Sequence, residues 1–438
     1  MKMRTIAAAC SLALASGAAT TAFAQDNKDN RHSLQTKVRL VHFDRDFGND
    51  ANDREQTALA FEGNYVSPRF ADLLSIGLSA YVVEDVADDG LVTADVLTVD
   101  DGELDGYALL GQAYADLALG EVGSAKVGRM LHKSMFLASS GSRAVPNTFQ
   151  GASLALAPMD GLSLYGAVFD KWSSRTSDEF DSFATDTSNP GAIDWVGVAG
   201  LRYKAERYQL ELEYLRSQDY LSKLGLRGSY LPDIGGDAGD LKLSGAVFTS
   251  DSDGDLFVTG SESGDLDDED APGAVAGVTD SEVNGLGGYL DAEWKSGNLT
   301  AGLTLTLIDE IWLEDNFAGD HGTSPFPTTS RAGPDLTNTG ETVLGGRIGY
   351  NWNDVVEGLS TTFRFADGSG AENSVDASLG KADERWWEID VRYQVPVLAG
   401  LSFRGIYHDY TADETGSVDG VKDDDRDIRL YLDYVHRF

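Results

Sequence analysis

The chain has 438 residues, with 72 Asp and Glu against 34 Lys and Arg, for a formal net charge of −38. So acidic a balance excludes nucleic acid as a partner, because phosphate binding needs clustered cations. With 49 Gly, 10 Pro and 10% aromatics, the composition is that of many strands joined by turns.

Lys2 and Arg4 precede an apolar run from Ile6 to Ala15 and then Ala22-Phe23-Ala24. That is a secretory signal peptide over residues 1–24 with an A-x-A cleavage site, and the mature chain is expected to begin at Gln25. Its loss takes the net charge from −38 to −40, because Lys2 and Arg4 leave with it. Cys10 lies inside this leader. The mature chain therefore has no disulfide, thiol nucleophile or Cys-based metal site. After the leader no run of 18 apolar residues occurs, which excludes a spanning helix but not a barrel.

Segments of period 2 predict strands at 34–43, 56–66, 73–83, 107–118, 121–130, 149–157, 162–171, 193–204 and 207–215. The second half continues with 223–230, 240–249, 286–295, 299–308, 342–352, 358–367, 384–395, 400–410 and 426–438. Short links alternate with long ones, the long ones falling at 44–55, 84–106, 131–148, 172–192, 216–222, 250–285, 309–341, 368–383 and 411–425. Nine long and eight short links join eighteen up-and-down strands, the asymmetry of outer-membrane barrels. The fold class expected is all-β: one transmembrane antiparallel barrel of eighteen strands over residues 25–438, with no second domain. The last strand shows the pattern most plainly. Ile428, Leu430, Leu432, Tyr434, His436 and Phe438 share one face, and Asp427, Arg429, Tyr431, Asp433, Val435 and Arg437 the other.

Arg or Lys facing the bilayer midplane costs about 2 to 4 kcal/mol, so the charged face must point inward. Leu344, Ile348, Tyr350, Phe363, Trp387, Ile389, Tyr393, Phe403 and Tyr407 then face lipid. Arg347, Arg364, Arg392, Arg404 and Arg429 fall inward on five consecutive strands, and closure adds Lys37 and Arg39 from the first. Five of these, Arg39, Arg347, Arg364, Arg392 and Arg404, lie roughly 10 to 20 Å up one wall at about 3.3 Å per residue. Two readings stand side by side: a basic track that offers an anionic solute successive partners, and ion pairs with Glu388, Asp390, Asp433 and loop acids that hold the wall together.

The third long link carries Arg143-Ala144-Val145-Pro146-Asn147-Thr148-Phe149-Gln150-Gly151 after Val127-Gly128, and the C-terminal third carries Glu388, Asp390, Tyr393, Gly400-Leu401-Ser402-Phe403-Arg404, Asp427, Arg429 and Tyr434. In these segments the chain resembles the OprD family of outer-membrane porins. The resemblance implies an eighteen-stranded channel whose third loop folds into the lumen, with Ser142, Arg143, Asn147 and Thr148 near the constriction opposite the arginine track. It implies passive diffusion of small carboxylates, including aromatic acids and amino acids. The chain departs from the family in its more acidic outer loops.

Between 250 and 285, eleven acids occur with no Lys or Arg, and Asp251, Asp253, Asp255 and Glu262 fall at positions 1, 3, 5 and 12 of a calcium-loop pattern. Leu256 stands where that pattern needs Gly, so a solvated outer loop is expected and no metal site. No G-x-S-x-G or H-E-x-x-H occurs, and the six His residues have no Ser-acid constellation, so no enzyme and no cofactor are expected. The partners expected are small anionic solutes and the lipid and lipopolysaccharide of a Gram-negative outer membrane. The alternative function is a general unselective trimeric diffusion porin, and monomer against homotrimer stays open.

Overall fold

The computed structural model describes residues 30–47, 53–185, 191–235, 238–257, 284–310, 312, 317, 324–333, 335–372, 381–412 and 425–438. The leader expected over 1–24 and Glu262 of the calcium-loop pattern lie outside them. Eighteen strands form one closed antiparallel sheet. In chain order these are β1 Ser33–Asp46, β2 Arg54–Val66, β3 Leu74–Asp88, β4 Tyr107–Ala118, β5 Gly123–Met130, β6 Thr148–Met159, β7 Leu162–Ser173, β8 Val196–Lys204 and β9 Tyr208–Ser217. The remainder are β10 Leu221–Tyr230, β11 Asp240–Ser252, β12 Asn284–Ser296, β13 Leu299–Ile308, β14 Thr342–Asn351, β15 Leu359–Glu372, β16 Lys381–Gln394, β17 Leu401–Ala412 and β18 Asp425–Arg437. Each pairs with its neighbours in sequence, and β1 closes on β18 with Arg39 opposite Asp433. Among the described residues no helix is long and apolar enough to cross a membrane, so the strands do the crossing.

The lipid rule explains the alternation. Along the outside Leu290 is 68% exposed, Leu303 61% and Ile348 57%, while the charged inward residues of the same strands are paired. At the short-turn end Tyr203, Tyr208, Tyr230, Tyr350, Trp352, Phe403 and Tyr434 stay exposed as an aromatic girdle, with Tyr208 and Tyr230 stacked at 5.0 Å. At this end the turn before β17 packs tightly against the adjoining strand β18. Gly400, at φ +90, leaves so little room that a Cβ there would meet the Val435 carbonyl oxygen at 2.0 Å.

The eighteen strands fall where period 2 places them, but link length does not alternate throughout. The outer link expected to be long at 216–222 is the tight turn 218–220: Ser217 Oγ accepts from the Leu221 amide at 2.9 Å and Asp219 takes a left-handed φ of 51°. Conversely, nine residues separate the end of β10 at Tyr230 from the start of β11 at Asp240, on the periplasmic side.

The barrel is filled in its outer half by loops. Val96, Leu97, Ala144, Val145, Phe180 and Ala332, from four different links, pack with the wall residues Val41, Phe43 and Tyr81. On the far side Met135, Phe136, Trp312 and Phe326 pack against Phe248 and Leu215. Each cluster removes apolar surface from lumenal water, which is what keeps these loops inside the barrel. Replacing lipid-facing Leu303 by Arg should destabilise the barrel by about 2 to 4 kcal/mol in reversible urea unfolding in phospholipid, with the lumenal conductance unchanged.

Candidate functional site: the lumen and its constriction

The link 131–147 spans the channel and is held at both ends by charged wall residues. Glu213 of β9 accepts from the backbone amides of Met135 (2.8 Å) and Phe136 (2.9 Å) and from Ser134 Oγ (2.8 Å). Arg39 of β1 donates to the carbonyls of Gly141 and Arg143, both at 2.7 Å, and Tyr431 of β18 donates to the Ser142 carbonyl at 2.7 Å. β9 and β1 stand eight strands apart in a ring of eighteen, so the two anchors lie on nearly opposite walls. Seven extended residues reach roughly 25 Å at most, enough to cross such a lumen. His132 in the same link is half-buried, its ring edge-on to Phe149 and Phe169, and desolvation pushes its pKa down to about 4, so the imidazole is neutral at neutral pH.

A second inward segment, 324–333, lies along the opposite side of this crossing. Arg364 donates to the carbonyls of Pro327 (2.9 Å) and Thr329 (2.8 Å), and Arg429 to those of Arg331 (3.0 Å) and Ala332 (2.6 Å). Arg364 also pairs with Glu388 at 2.8 Å, and Arg429 with Asp427 at 2.5 Å. Lipid exclusion places these arginines inside, and folded loop backbone supplies the acceptors that their remaining N–H groups need.

A third clasp joins the links 89–106 and 131–147 to the wall. Asp95, 1% exposed, meets Arg143 at 2.6 Å and Arg45 and Arg54 at 3.1 Å each. Gln56 Oε1 accepts from the Asp95 and Val96 amides at 3.1 and 3.0 Å. Burial opposes ionisation of Asp95, yet Arg45, Arg143 and Arg54 outweigh it and hold the carboxyl well below the usual range. Arg175, a loop cation that the sequence reading passed over, donates to Ser142 Oγ at 2.6 Å; burial, then Arg143 and Arg429, lower its pKa.

The seven expected track cations therefore divide by what their guanidinium and ammonium groups touch. Arg39, Arg364 and Arg429 are anchors, with their donors taken up by carboxylates and loop carbonyls. Lys37 pairs with Glu62 at 2.7 Å. Arg347 meets two carboxylates, Asp291 at 2.7 Å and Glu293 at 2.8 Å, so its group carries a net negative charge. Arg392 and Arg404 are different: both reach Asp390 at 2.9 Å, and Arg331 from the inward segment reaches the same carboxylate at 2.6 Å. Arg331 also meets Glu388 at 3.4 Å, a carboxylate that Arg364 shares, so four guanidiniums face two carboxylates and two positive charges remain in excess. The side chains of Arg392, Arg404 and Arg331 remain 33%, 27% and 21% accessible in the lumen. Burial brings the Arg331 pKa down to about 10, which leaves it cationic at neutral pH.

The four constriction-loop residues do not stand opposite the track. Ser142 and Arg143 lie against the β1–β18 wall that carries it, because Arg39 and Tyr431 need their carbonyls. Asn147, 6% exposed, accepts from the Ser140 amide at 2.6 Å, and Thr148 is fully buried at the start of β6. These two shape the loop and do not line the lumen. The segment facing the track across the channel is 134–137, held by Glu213. Nothing local in the sequence marks Glu213 as an anchor, since its partners are backbone amides on a link 77 or 78 residues away. No group of three or more His, Cys, Asp or Glu able to hold a metal occurs among the described residues.

Residues 28–438 match the family model described as outer membrane porin, OprD family. The chain belongs to the OprD family. Its members are channels and not enzymes, and the family places the protein in the outer membrane of a Gram-negative bacterium. Among solved structures it is similar to Pseudomonas aeruginosa OpdK with vanillate, at 20% identity and TM-score 0.76 over 93% of this chain and 99% of that one. It is similar also to P. aeruginosa OccK9 (OpdG), at 22% identity and TM-score 0.75 over 93% and 98%. Acinetobacter baumannii OccAB3 follows at 17% identity and TM-score 0.76 over 93% and 99%. No curated protein matches at the sequence level.

Asp95→Asn leaves three guanidiniums facing one another, which should cost about 3 to 5 kcal/mol and free both links to protease at neutral pH. The pH dependence follows from the depressed carboxyl. The stabilisation is complete above the ordinary value of 3.8 and is lost as pH falls towards the folded-state pKa. Limited proteolysis from pH 7 down to about pH 2 should show wild type still closed at pH 3 and loosening only below it, with Asp95→Asn already open at pH 7.

Proposed function

We propose that this porin admits small carboxylates, aromatic acids and amino acids among them, and that Arg331, Asp390, Arg392 and Arg404 form the station that draws them through. The observation that carries the reading is the excess of three guanidiniums over one carboxylate at an accessible place in the lumen. Each guanidinium presents planar paired donors that match a carboxylate, and Asp390 takes only part of them. A solute carboxylate can thus join the cluster without displacing Asp390. The remaining excess of two charges attracts an anion in a narrowed, low-dielectric passage, where the field is focused.

Lys37, Arg39, Arg364 and Arg429 extend the same wall above and beside this station, as anchors that also shape its potential. The link 131–147 and the segment 324–333 narrow the passage around it, which favours a substrate channel over an unselective one. The similarity to OpdK, whose structure was determined with vanillate, supports an aromatic acid as one substrate class.

In planar bilayers the Arg392→Gln/Arg404→Gln double variant should lose most of its anion preference, with the anion-to-cation permeability ratio falling about fivefold, the scale of losing two focused charges. Asp390→Asn should shift that ratio the other way. A double variant with wild-type anion preference and wild-type block by benzoate would overturn the station and favour the general diffusion porin.

A further inference from the structure

We propose a second carboxylate station on the opposite wall, formed by Arg202 of β8 and Arg227 of β10 on either side of Glu211 of β9. It rests on the reading of the channel as a carboxylate porin and adds a site that the arginine track does not contain. The three residues are directly opposed across neighbouring strands: Arg202 pairs in register with Glu211, and Glu211 with Arg227. Arg202 reaches one Glu211 oxygen at 2.5 Å and Arg227 the other at 2.6 Å, while Glu211 itself is fully buried. Two cations thus meet one carboxylate, where three meet Asp390.

Accessibility points the same way. The side chains of Arg202 and Arg227 are 42% and 35% exposed, more than those of Arg392 and Arg404. Tyr165 provides an aromatic face beside Arg202, whose guanidinium lies 5.8 Å from the ring centre, and the tyrosine hydroxyl donates to Glu211 at 3.0 Å and to Glu213 at 2.6 Å. Glu213, held by that hydroxyl and by the amides of the crossing link, brings the local count to two arginines and two carboxylates, so what this wall offers a solute is the exposed guanidinium donors and not an excess of charge.

Position assigns the station its role. Arg202, Glu211 and Arg227 each lie within four residues of the periplasmic end of their strands, as do Asp390, Arg392 and Arg404. The two clusters stand eight strands apart, between β8 and β16. A solute released from the Asp390 cluster therefore meets a second guanidinium pair on the opposite wall, at a similar distance from the periplasmic end. Two weak stations in place of one strong site favour passage, since each binds well enough to attract and loosely enough to release.

The test is single-channel recording with benzoate as probe, added from the periplasmic side to channels of known orientation. Wild type should show two dwell-time components of block. Arg202→Gln/Arg227→Gln should lose one component and about fivefold in the on-rate, as two attracting charges are removed. Arg392→Gln/Arg404→Gln should keep that component and lose the other. Because the first double variant leaves Glu211 without its partners, Glu211→Gln supplies a second measurement with both arginines kept, and it should lengthen the block. Wild-type dwell times in both Arg202→Gln/Arg227→Gln and Glu211→Gln would overturn the second station, whatever the Asp390 variants show. Loss of block in the Arg202→Gln/Arg227→Gln channel alone would overturn the Asp390 station instead.

Discussion

Everything in this protein depends on the exclusion of charge from lipid. A strand that crosses the membrane can carry ionic side chains on one face only, and in a closed barrel that face looks into a space of limited width. Once inside, a guanidinium must still satisfy five N–H donors. The wall carboxylates take some of them. Arg39, Arg364 and Arg429 find the rest on the backbone carbonyls of residues 141, 143, 327, 329, 331 and 332. Folding those loops into the lumen is thus the counterpart of keeping arginine out of the bilayer, and the constriction follows from it.

That dependence also separates what was legible from what was not. Strand positions were legible because lipid imposes period 2 on every strand, including the pair over 221–252 that carries few other cues. The inward parity of Arg347, Arg364, Arg392, Arg404 and Arg429 came from the same rule. Loop geometry is set by partners far apart in sequence, and no local pattern encodes it. Glu213 reads as one more inward acid until Met135 and Phe136 are seen against it. Arg143 reads as an eyelet residue until Asp95 is seen to take it. The tight turn 218–220 escaped for a smaller reason, since Ser217 and Asp219 cap it with no Gly-rich signature.

Charge counting over the whole chain would predict a channel that repels anions, since the net charge is −38. Location reverses the conclusion. Eleven acids without a Lys or Arg fall in 250–285, between β11 and β12 in the chain, and charges in open water are screened by salt within about 10 Å. The lumenal cations act at contact distance in a passage narrowed by apolar packing, and there the same unit charge has a larger effect. On the proposed reading, a solute carboxylate meets screened repulsion outside and focused attraction within, so the outer acids would bear on its rate of approach and the lumenal arginines on its passage.

The composition of the Asp390 cluster shows how such a site avoids becoming a trap. Without a carboxylate at its centre, Arg331, Arg392 and Arg404 would repel one another at close range, and the wall would lose the 2.6 Å contact that ties the inward segment to β16. With three carboxylates the cluster would be neutral and would resemble the Arg347 group, whose two acids leave nothing for an anion. One carboxylate among three arginines holds the guanidiniums in place and still leaves a net attraction. On the proposed reading Asp390 stays in place and keeps part of the guanidinium donors engaged, so an arriving carboxylate finds only those left over. Sharing of this kind lowers the depth of the well without removing the field that draws the solute in, and a channel needs both properties at once.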